Sequence, residues 1–424
     1  MRLLTGMVLA FSLTGCTALT TSSKPVEPAD ILNTYSDIAE AGYTDSVITA
    51  KVLRNKVQAL LNEPTESNLQ AARTAWLAAR VPYQQTEVYR FGNEIVDDWE
   101  GRVNAWPLDE GLIDYVDSSS YGRESDENSF YTANVIANTR LRLGNQTIDI
   151  STITPELLSS TLHEADENEA NVATGYHAIE FLLWGQDLYG NKQGSGERPA
   201  TDFSIENCTG GNCDRRREYL SVATDLLISD LEEMAANWQE GGAAREALAA
   251  KGTDAGLATI LIGMGSLSYG ELAGERTKLP LMLHDPEEEH DCFADNTHNS
   301  HFYDVLGIRN VYLGEYTRID GSKVKGPSIA DLIKAKDAQL EKQLRNEINA
   351  SVQAASQIVS AAEAGSPFDV LIAAGNKEGN QLVQNLVNGL TTQTRSIEAA
   401  MELLNLENTG LEGSDSLDNP DSVI

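Results

Sequence analysis

Apolar residues recur at helical spacing through most of this 424-residue chain. Ala72, Trp76, Ala79 and Tyr83, for example, follow one another at intervals of three and four residues. Side chains at these intervals lie on one face of an α-helix. Few segments alternate as strands do, and the exception is a weak pattern at 310–313. The sequence therefore predicts an all-α fold.

Irregular segments divide this helical pattern. Long inserts cover 94–150 and 279–326, and Gly, Ser, Pro and Cys are frequent in 191–212. Each half then reads helix, helix, insert, helix, helix, which is a coarse internal duplication. We expect two four-helix-bundle-like domains, at 30–190 and 213–404, with a linker at 191–212.

The N-terminus has the layout of a bacterial secretory signal. Arg2 precedes a short apolar run that ends in LTGC at 13–16, and this run is too short to span a bilayer. Small residues before a cysteine are similar to a lipobox, although an ordinary signal peptide with an incidental Cys16 is the alternative. We expect a lipoprotein signal peptide at 1–15, lipidation of Cys16 and a flexible tether at 16–29.

The chain is strongly acidic, with a formal net charge of −33. Such a surface repels nucleic acid, which we exclude as a partner, and attracts cations. Its simplest meaning is solubility. The last segment, 405–424, is acidic and contains Gly and Ser, and we expect it to be disordered.

Cysteine usage is consistent with export. Cys208 and Cys213 flank a Gly-Gly turn, and this spacing predicts a local disulfide in an oxidising compartment. Cys292 is then left over. The sequence alone does not decide which two of the three cysteines pair.

The sharpest chemical motif combines His177 and Glu180 in an apolar segment. Three residues apart on a helix, an imidazole and a carboxylate project from one face and can begin a metal site. The alternative is a buried hydrogen bond that only specifies packing. A buried Glu180 needs a partner in either case. The pattern differs from the HExxH of zinc peptidases, which the chain lacks.

Two further acidic clusters lie on predicted helices. Glu87 and Arg90 share a helix face, and an intrahelical ion pair is the simplest interpretation. Glu271 and Glu275 lie one turn apart. Two like charges at that spacing are unfavourable unless a cation or Arg276 lies between them.

The second insert is rich in histidine and acids. Four of the six histidines, including His290 and His298, fall within 284–301, together with acids such as Asp295. This density suits a transition metal, and a solvated loop is the equally simple alternative. No GxSxG, Walker A or dinucleotide-binding motif is present, which disfavours a serine or nucleotide enzyme.

Gly175, His177 and Glu180 read GxHxxE, and with this motif the chain resembles the imelysin family, in particular its iron-regulated protein A branch. The resemblance covers nearly all of 30–405. Further matching segments are 104–115, which includes Asp109, and 215–220, 263–276 and 289–298.

The resemblance implies two helical bundles, a site near their interface and a role in iron acquisition at the periplasm or cell surface. Iron is the expected cofactor, with another divalent metal as the alternative. The expected partners are a membrane, which the protein contacts through its lipid anchor, and an iron-uptake receptor or other envelope protein. The outer membrane is the expected location of the anchor. The family is named after a peptidase, but the sequence shows no recognisable catalytic machinery.

We therefore expect a lipoprotein that binds iron or an iron-containing ligand. The alternatives are a metal-dependent peptidase of the imelysin type and a docking lipoprotein with a buried polar network. For the iron-binding lipoprotein, we expect Glu87, Glu271 and Glu275 to join His177 and Glu180 as metal ligands. Arg90 and Arg276 neutralise the cluster when no ligand is bound.

Overall fold

The computed structural model describes residues 26–407 and 410–423. The predicted signal peptide, Cys16 and all but the end of the tether lie outside these residues. The helices are α1 (Pro28–Asn62), α2 (Glu66–Gln84), α3 (Glu94–Asn104), α4 (Glu110–Ile113), α5 (Pro155–Leu157), α6 (Gly175–Trp184), α7 (Cys213–Trp238), α8 (Ala243–Ala250), α9 (Thr253–Ser266), α10 (Leu279–Leu283), α11 (Thr297–Leu313), α12 (Ile329–Lys336), α13 (Ala338–Glu363), α14 (Phe368–Ile372), α15 (Lys377–Leu404) and α16 (Asp415–Asp418).

Short irregular helices and two hairpins complete the described chain. The hairpins pair β1 (Arg140–Leu143) with β2 (Gln146–Asp149) and β3 (Glu315–Thr317) with β4 (Lys323–Lys325), both antiparallel. The 3-10 turns are Glu87–Tyr89, Ala165–Glu167, Ala200–Phe203, Pro286–Glu288 and Pro420–Ser422, and the π-helical segments are Leu158–Leu162 and Leu267–Lys278. The prediction of an all-α fold is confirmed.

The long helices pack in two groups. In the first, α1 contacts α2 and α7, while α6 contacts α2 and α7. In the second, α15 contacts α13 and the π-helical segment Leu267–Lys278. Helix α11 contacts both of these elements. Contacts of α11 with α2 and of α9 with α1 join the groups, and buried apolar residues form one continuous core.

This packing differs from the predicted division of the chain. Helix α7 was expected to open the second domain, yet it packs with α1 and α6 of the first group. The segment 191–212 therefore lies before the last long helix of its group. Periodicity locates helices but carries no information about which helices pack together.

Two segments are more regular than expected. The second insert contains α11, so 310–313 is the end of a helix where a weak strand was predicted. The described part of the tail is ordered as well, because Ser416 is buried and donates from Oγ to the Gly274 carbonyl at 3.0 Å. Leu411 also packs on Gly265, and Ser414 packs on Gly274, because glycine has no side chain and leaves room for the tail.

Cys208 and Cys213 form a disulfide with a Cα–Cα distance of 5.9 Å, and Cys292 is a buried free thiol. Within the described residues, no helix combines the length and the apolar character needed to cross a membrane.

Candidate metal centre

His177 and Glu180 lie on α6, every residue of which is buried. Their side chains face each other, with 2.9 Å between His177 Nδ1 and Glu180 Oε2. The second carboxylate oxygen, Oε1, accepts a hydrogen bond of 2.9 Å from the Ala294 backbone N–H. Glu180 therefore links the His177 ring to the histidine-rich segment of the second half of the chain.

Gly175 permits the approach that puts these side chains in place. Its φ is +80°, and a Cβ at this position would lie 2.4 Å from the Val103 carbonyl oxygen. Only glycine combines this backbone conformation with so close a contact. The first residue of GxHxxE thus packs the start of α6 against the end of α3.

A second histidine and a carboxylate complete a group that we call the trio: His177, His290 and Asp291. One potential ligand atom from each lies within 4.8 Å of the others, and all three residues are buried. The two imidazole rings are 4.7 Å apart between centroids, and the Trp106 ring lies 5.1 Å from that of His177. Two imidazoles and a carboxylate form a donor set suited to iron, zinc or similar metals.

Arg80 lies beside the trio and binds its carboxylate. Arg80 Nη2 is 2.7 Å from Asp291 Oδ1, and Nε is 3.3 Å from Oδ2. Arg80 Nη1 also donates to Asn104 Oδ1 at 2.6 Å. Asp291 further accepts hydrogen bonds from Asn296, at 2.7 Å, and Ser300. The carboxylate is thus fully compensated by groups of the chain itself.

These surroundings fix the charges of the trio. Burial, reinforced by Arg80, holds the pKa of His177 well below its ordinary value, and burial likewise lowers the pKa of His290. Burial raises the pKa of Glu180, and neighbouring Asp291 raises it further. Burial acts to raise the pKa of Asp291, but Arg80, together with smaller contributions that include the hydrogen bond from Ser300, outweighs burial and brings the value to about 2. Both imidazoles are therefore neutral, the form that binds metals.

The trio fits a metal on one further observation. His177 Nε2 is buried and has no hydrogen-bond partner. When Glu180 is ionised, its Oε2 accepts the Nδ1 proton of His177, and the Nε2 lone pair is then free. A carboxylate that orients a ligating histidine in this way is a recurrent feature of metal sites. Glu180 is then a positioning residue for His177.

Glu87 and Glu271, two of the predicted ligands, lie in a separate cluster around Arg276. Arg276 Nη2 is 2.7 Å from Glu87 Oε2, and its Nε is 2.7 Å from Glu271 Oε1. Buried Asp304 lies 3.4 Å from Nη1. Among the described residues, the acids near Arg276 do not join the trio. Arg276 instead forms ion pairs with all three acids.

A π-helical segment explains why Glu271 and Glu275 separate. Over Leu267–Lys278 the turns are wider than in an α-helix, so residues five apart meet on one face. Glu271 therefore reaches Arg276, while Glu275 is exposed. The spacing in the sequence instead predicts that Glu271 and Glu275 share a face, because α-helical geometry brings residues four apart together.

Arg90 does not form the predicted local pair with Glu87. Helix α2 ends before it, and Glu87 lies in a 3-10 turn, so the intrahelical pair does not form. Arg90 Nε binds Asp97 at 2.9 Å, and Nη1 lies 3.5 Å from Glu271. Tertiary partners thus replace the local one.

The remaining predicted residues are placed around, but not in, the trio. Asp109 precedes α4 and accepts a hydrogen bond from Asn128. Asp295 Oδ2 accepts one from the Gly194 N–H at 3.3 Å, and burial raises the pKa of Asp295 to about 8. Burial lowers the pKa of His298 to about 4, and its Nδ1 has no partner.

An acidic cleft of about 450 Å³ opens next to the trio. Its wall includes His290, Asn104 and Trp106, so the cleft reaches one histidine of the trio. The basic residues of the lining are Arg90 and Arg276. Acidic residues dominate the rest of it: Asp97, Asp98, Glu100, Glu164, Glu169, Glu271, Glu275 and Glu288. The negative potential of such a cleft attracts cations. Glu271 and Glu275 thus line the route to the site.

Two residues at the centre were not singled out from the sequence. Asp291 directly follows His290, so the same histidine-rich segment could have indicated it. Arg80 lies on an amphipathic helix 211 residues away from Asp291, and nothing in its local pattern distinguishes it from a surface arginine. Only the packing of α2 on the second insert brings the two together.

Comparisons with known proteins agree with the fold and with the resemblance to the imelysin family. The model of the imelysin family, a peptidase family by its description, matches residues 39–397. An iron-regulated protein A of Synechococcus elongatus is 23% identical over 326 residues, which cover 72% of this chain and 71% of the relative. The family match therefore spans both helix groups and the trio.

Two solved structures share the fold. A putative iron-regulated protein A precursor from Parabacteroides distasonis has a TM-score of 0.62 and 17% identity, covering 90% of this chain and 97% of its own. An imelysin-like protein from Psychrobacter arcticum has a TM-score of 0.60 and 16% identity, covering 91% and 99%. With the family model matched across most of its length, the chain belongs to the imelysin family.

Proposed function

We propose that this protein binds iron, or an iron-containing ligand, at the trio of His177, His290 and Asp291. The observation that carries the proposal is the convergence of two neutral, buried imidazoles and an ionised carboxylate within 4.8 Å. A relative named for iron regulation points to iron among the metals that this donor set suits.

The acidic cleft supports the same function. A hydrated cation entering it meets carboxylates along the wall before it reaches His290. Arg80 then becomes the competing charge, because it already occupies both oxygens of Asp291. Binding therefore replaces one compensating cation with another.

We further propose that the protein acts in the cell envelope as a lipid-anchored protein, held through Cys16. The support is the LTGC sequence after a short apolar run, together with a structural neighbour named as a precursor. An outer-membrane location and an iron-uptake partner complete this proposal.

Metal analysis and calorimetric titration with Fe²⁺ under anaerobic conditions test the function. We expect one bound metal in the wild type, and none in His177→Ala or His290→Ala. His298→Ala is the matched control, because it removes a mostly buried histidine outside the trio and should still bind. Equal binding by all four proteins contradicts the proposed site.

A metal-dependent peptidase is the second function to test, since the family is described as one. The purified wild type is incubated with unfolded casein and Zn²⁺ or Fe²⁺. Cleavage that disappears in His177→Ala would favour a peptidase. Metal binding without cleavage is the result expected for a binding protein.

A further inference from the structure

A second pocket, of about 500 Å³, opens at the C-terminal end of α6. None of the trio residues lines it, and its wall is formed largely by the segment that follows Trp184. Three side chains of this wall are large, apolar and exposed: Tyr115 at 40%, Leu188 at 59% and Tyr189 at 38%. Concave, aromatic surfaces with a few polar groups are typical of small-molecule sites.

Arg198 supplies an unusual polar group to this pocket. Its side chain is only 1% exposed, and its Nη1 donates to Asp114 at 2.6 Å and to Asp202 at 3.1 Å. The other two nitrogens, Nε and Nη2, are buried and have no partner. These two N–H groups form one edge of the guanidinium, the edge that binds a carboxylate with two parallel hydrogen bonds.

The neighbouring acids bind other groups and leave that edge of Arg198 without a partner. Asp114 also binds Arg216, at 2.6 Å from Nε, and Asp202 also accepts from the Tyr115 hydroxyl at 2.5 Å. The faces of the Arg198 guanidinium lie against aromatic rings, 4.9 Å from the Tyr115 centroid and 5.5 Å from that of Phe181. An unpaired donor pair in such a setting is costly.

Two acids, Asp117 and Glu197, also line the pocket. Glu197 raises the pKa of the Tyr189 hydroxyl. Its charge opposes an anionic ligand, so its removal offers a test that leaves the Arg198 network intact.

We propose that this pocket binds a small carboxylate ligand with a planar apolar body. The carboxylate takes the free Nε–H and Nη2–H of Arg198, and the apolar body lies against Tyr115, Leu188 and Tyr189. Both nitrogens are closed to solvent in the structure, so binding requires a local movement that exposes them. This site is independent of the trio and of the metal function.

Titration calorimetry of the full-length mature chain with two matched probes tests the proposal. Indole-3-acetate carries the carboxylate, and 3-methylindole has the same ring without it. We expect binding of one indole-3-acetate, and binding of 3-methylindole that is weaker by about tenfold or more, as two charge-assisted hydrogen bonds are lost. Equal affinity for the two probes, or no binding of indole-3-acetate, overturns the proposal.

Two surface variants refine the test without disturbing the buried arginine. Glu197→Gln removes the opposing charge and should tighten indole-3-acetate while leaving 3-methylindole unchanged. Leu188→Glu adds an acid and removes apolar surface at the rim, and it should weaken both probes. Arg198→Lys, checked for folding by circular dichroism, should abolish the preference for the acid. Unchanged affinity for indole-3-acetate in all three variants would place binding elsewhere.

Discussion

Arg80 and Asp291 form a buried ion pair that joins the two helix groups at the candidate metal centre. The guanidinium contacts both carboxylate oxygens, at 2.7 and 3.3 Å, and the two side chains are 1% and 0% exposed. Asp291 is also the carboxylate of the trio. One residue therefore serves both the stability of the metal-free protein and the proposed ligand set.

We expect Arg80→Met to destabilise the metal-free protein and to increase its response to metal. Loss of one partner of a buried pair costs about 3–5 kcal/mol, because Asp291 keeps its charge without compensation. Fe²⁺ can then supply that charge. Thermal unfolding with and without Fe²⁺ should show a larger metal-dependent rise in Tm for the variant than for the wild type.

Arg73→Met is the control for this experiment. Arg73 binds the Leu183 and Arg198 carbonyls and makes no contact with the trio. Its metal response should equal that of the wild type. A smaller response in Arg80→Met than in the wild type would mean that Arg80 helps to hold the ligand.

Gly175→Ala should destabilise the fold and weaken metal binding together. The added Cβ would lie 2.4 Å from the Val103 carbonyl oxygen, so α6 must shift and carry His177 with it. We expect a loss of about 2 kcal/mol or more in the free energy of unfolding, measured in urea. Gly144→Ala is matched, since its φ is +56° and nothing lies within 4 Å. That control should lose only about 1 kcal/mol, from backbone strain.

Stability should fall as the pH rises from about 6.5 to 8.5. Burial raises the pKa of Glu110 and Asp295 to about 8, and of Glu100 and Asp369 to about 7. In the unfolded chain these carboxyls have pKa values near 4, so their protons stabilise the native state at low pH. That contribution decreases from about pH 4 upward, and its loss is complete only when the pH has risen through 7 to 8.

Histidines do not cancel this trend in the chosen window. Their pKa values in the native protein are lowered, so they favour unfolding only below the unfolded value of about 6.5. Chemical denaturation at several pH values measures the slope. A free energy of unfolding that is constant or increases from pH 6.5 to 8.5 would show that these carboxyls are ionised in the native state.

Palmitate labelling in a bacterial host tests the proposed anchor. We expect the wild type to incorporate the label and Cys16→Ser to lose it, because the lipobox cysteine is the site of attachment. The purified variant should still bind metal, as Cys16 lies outside the residues that form the trio. Labelling that persists in Cys16→Ser contradicts the anchor.

The sequence predicts this molecule well where local pattern determines structure. The periodicity of α2 and the apolar run of α6 give the helices, and GxHxxE gives His177 and Glu180. Predictions fail where distant packing decides. Glu87 pairs with Arg276, 189 residues away, and the π-helical segment changes which residues share a face. The neighbouring His290 could have indicated Asp291 as a site residue. No local pattern in the sequence indicates Arg80.

The tail that follows α15 has a consequence for how this chain can vary. Gly265, Gly270 and Gly274 form a track in which an added Cβ would lie 2.7 Å or less from a tail atom. The tail therefore needs glycine at these three positions, and the three positions need glycine only while the tail lies against them. Relatives that lack residues corresponding to 410–418 should carry bulkier side chains along this track. Such co-variation would show that the chain's end supports the helical segment bearing Glu271 and Arg276.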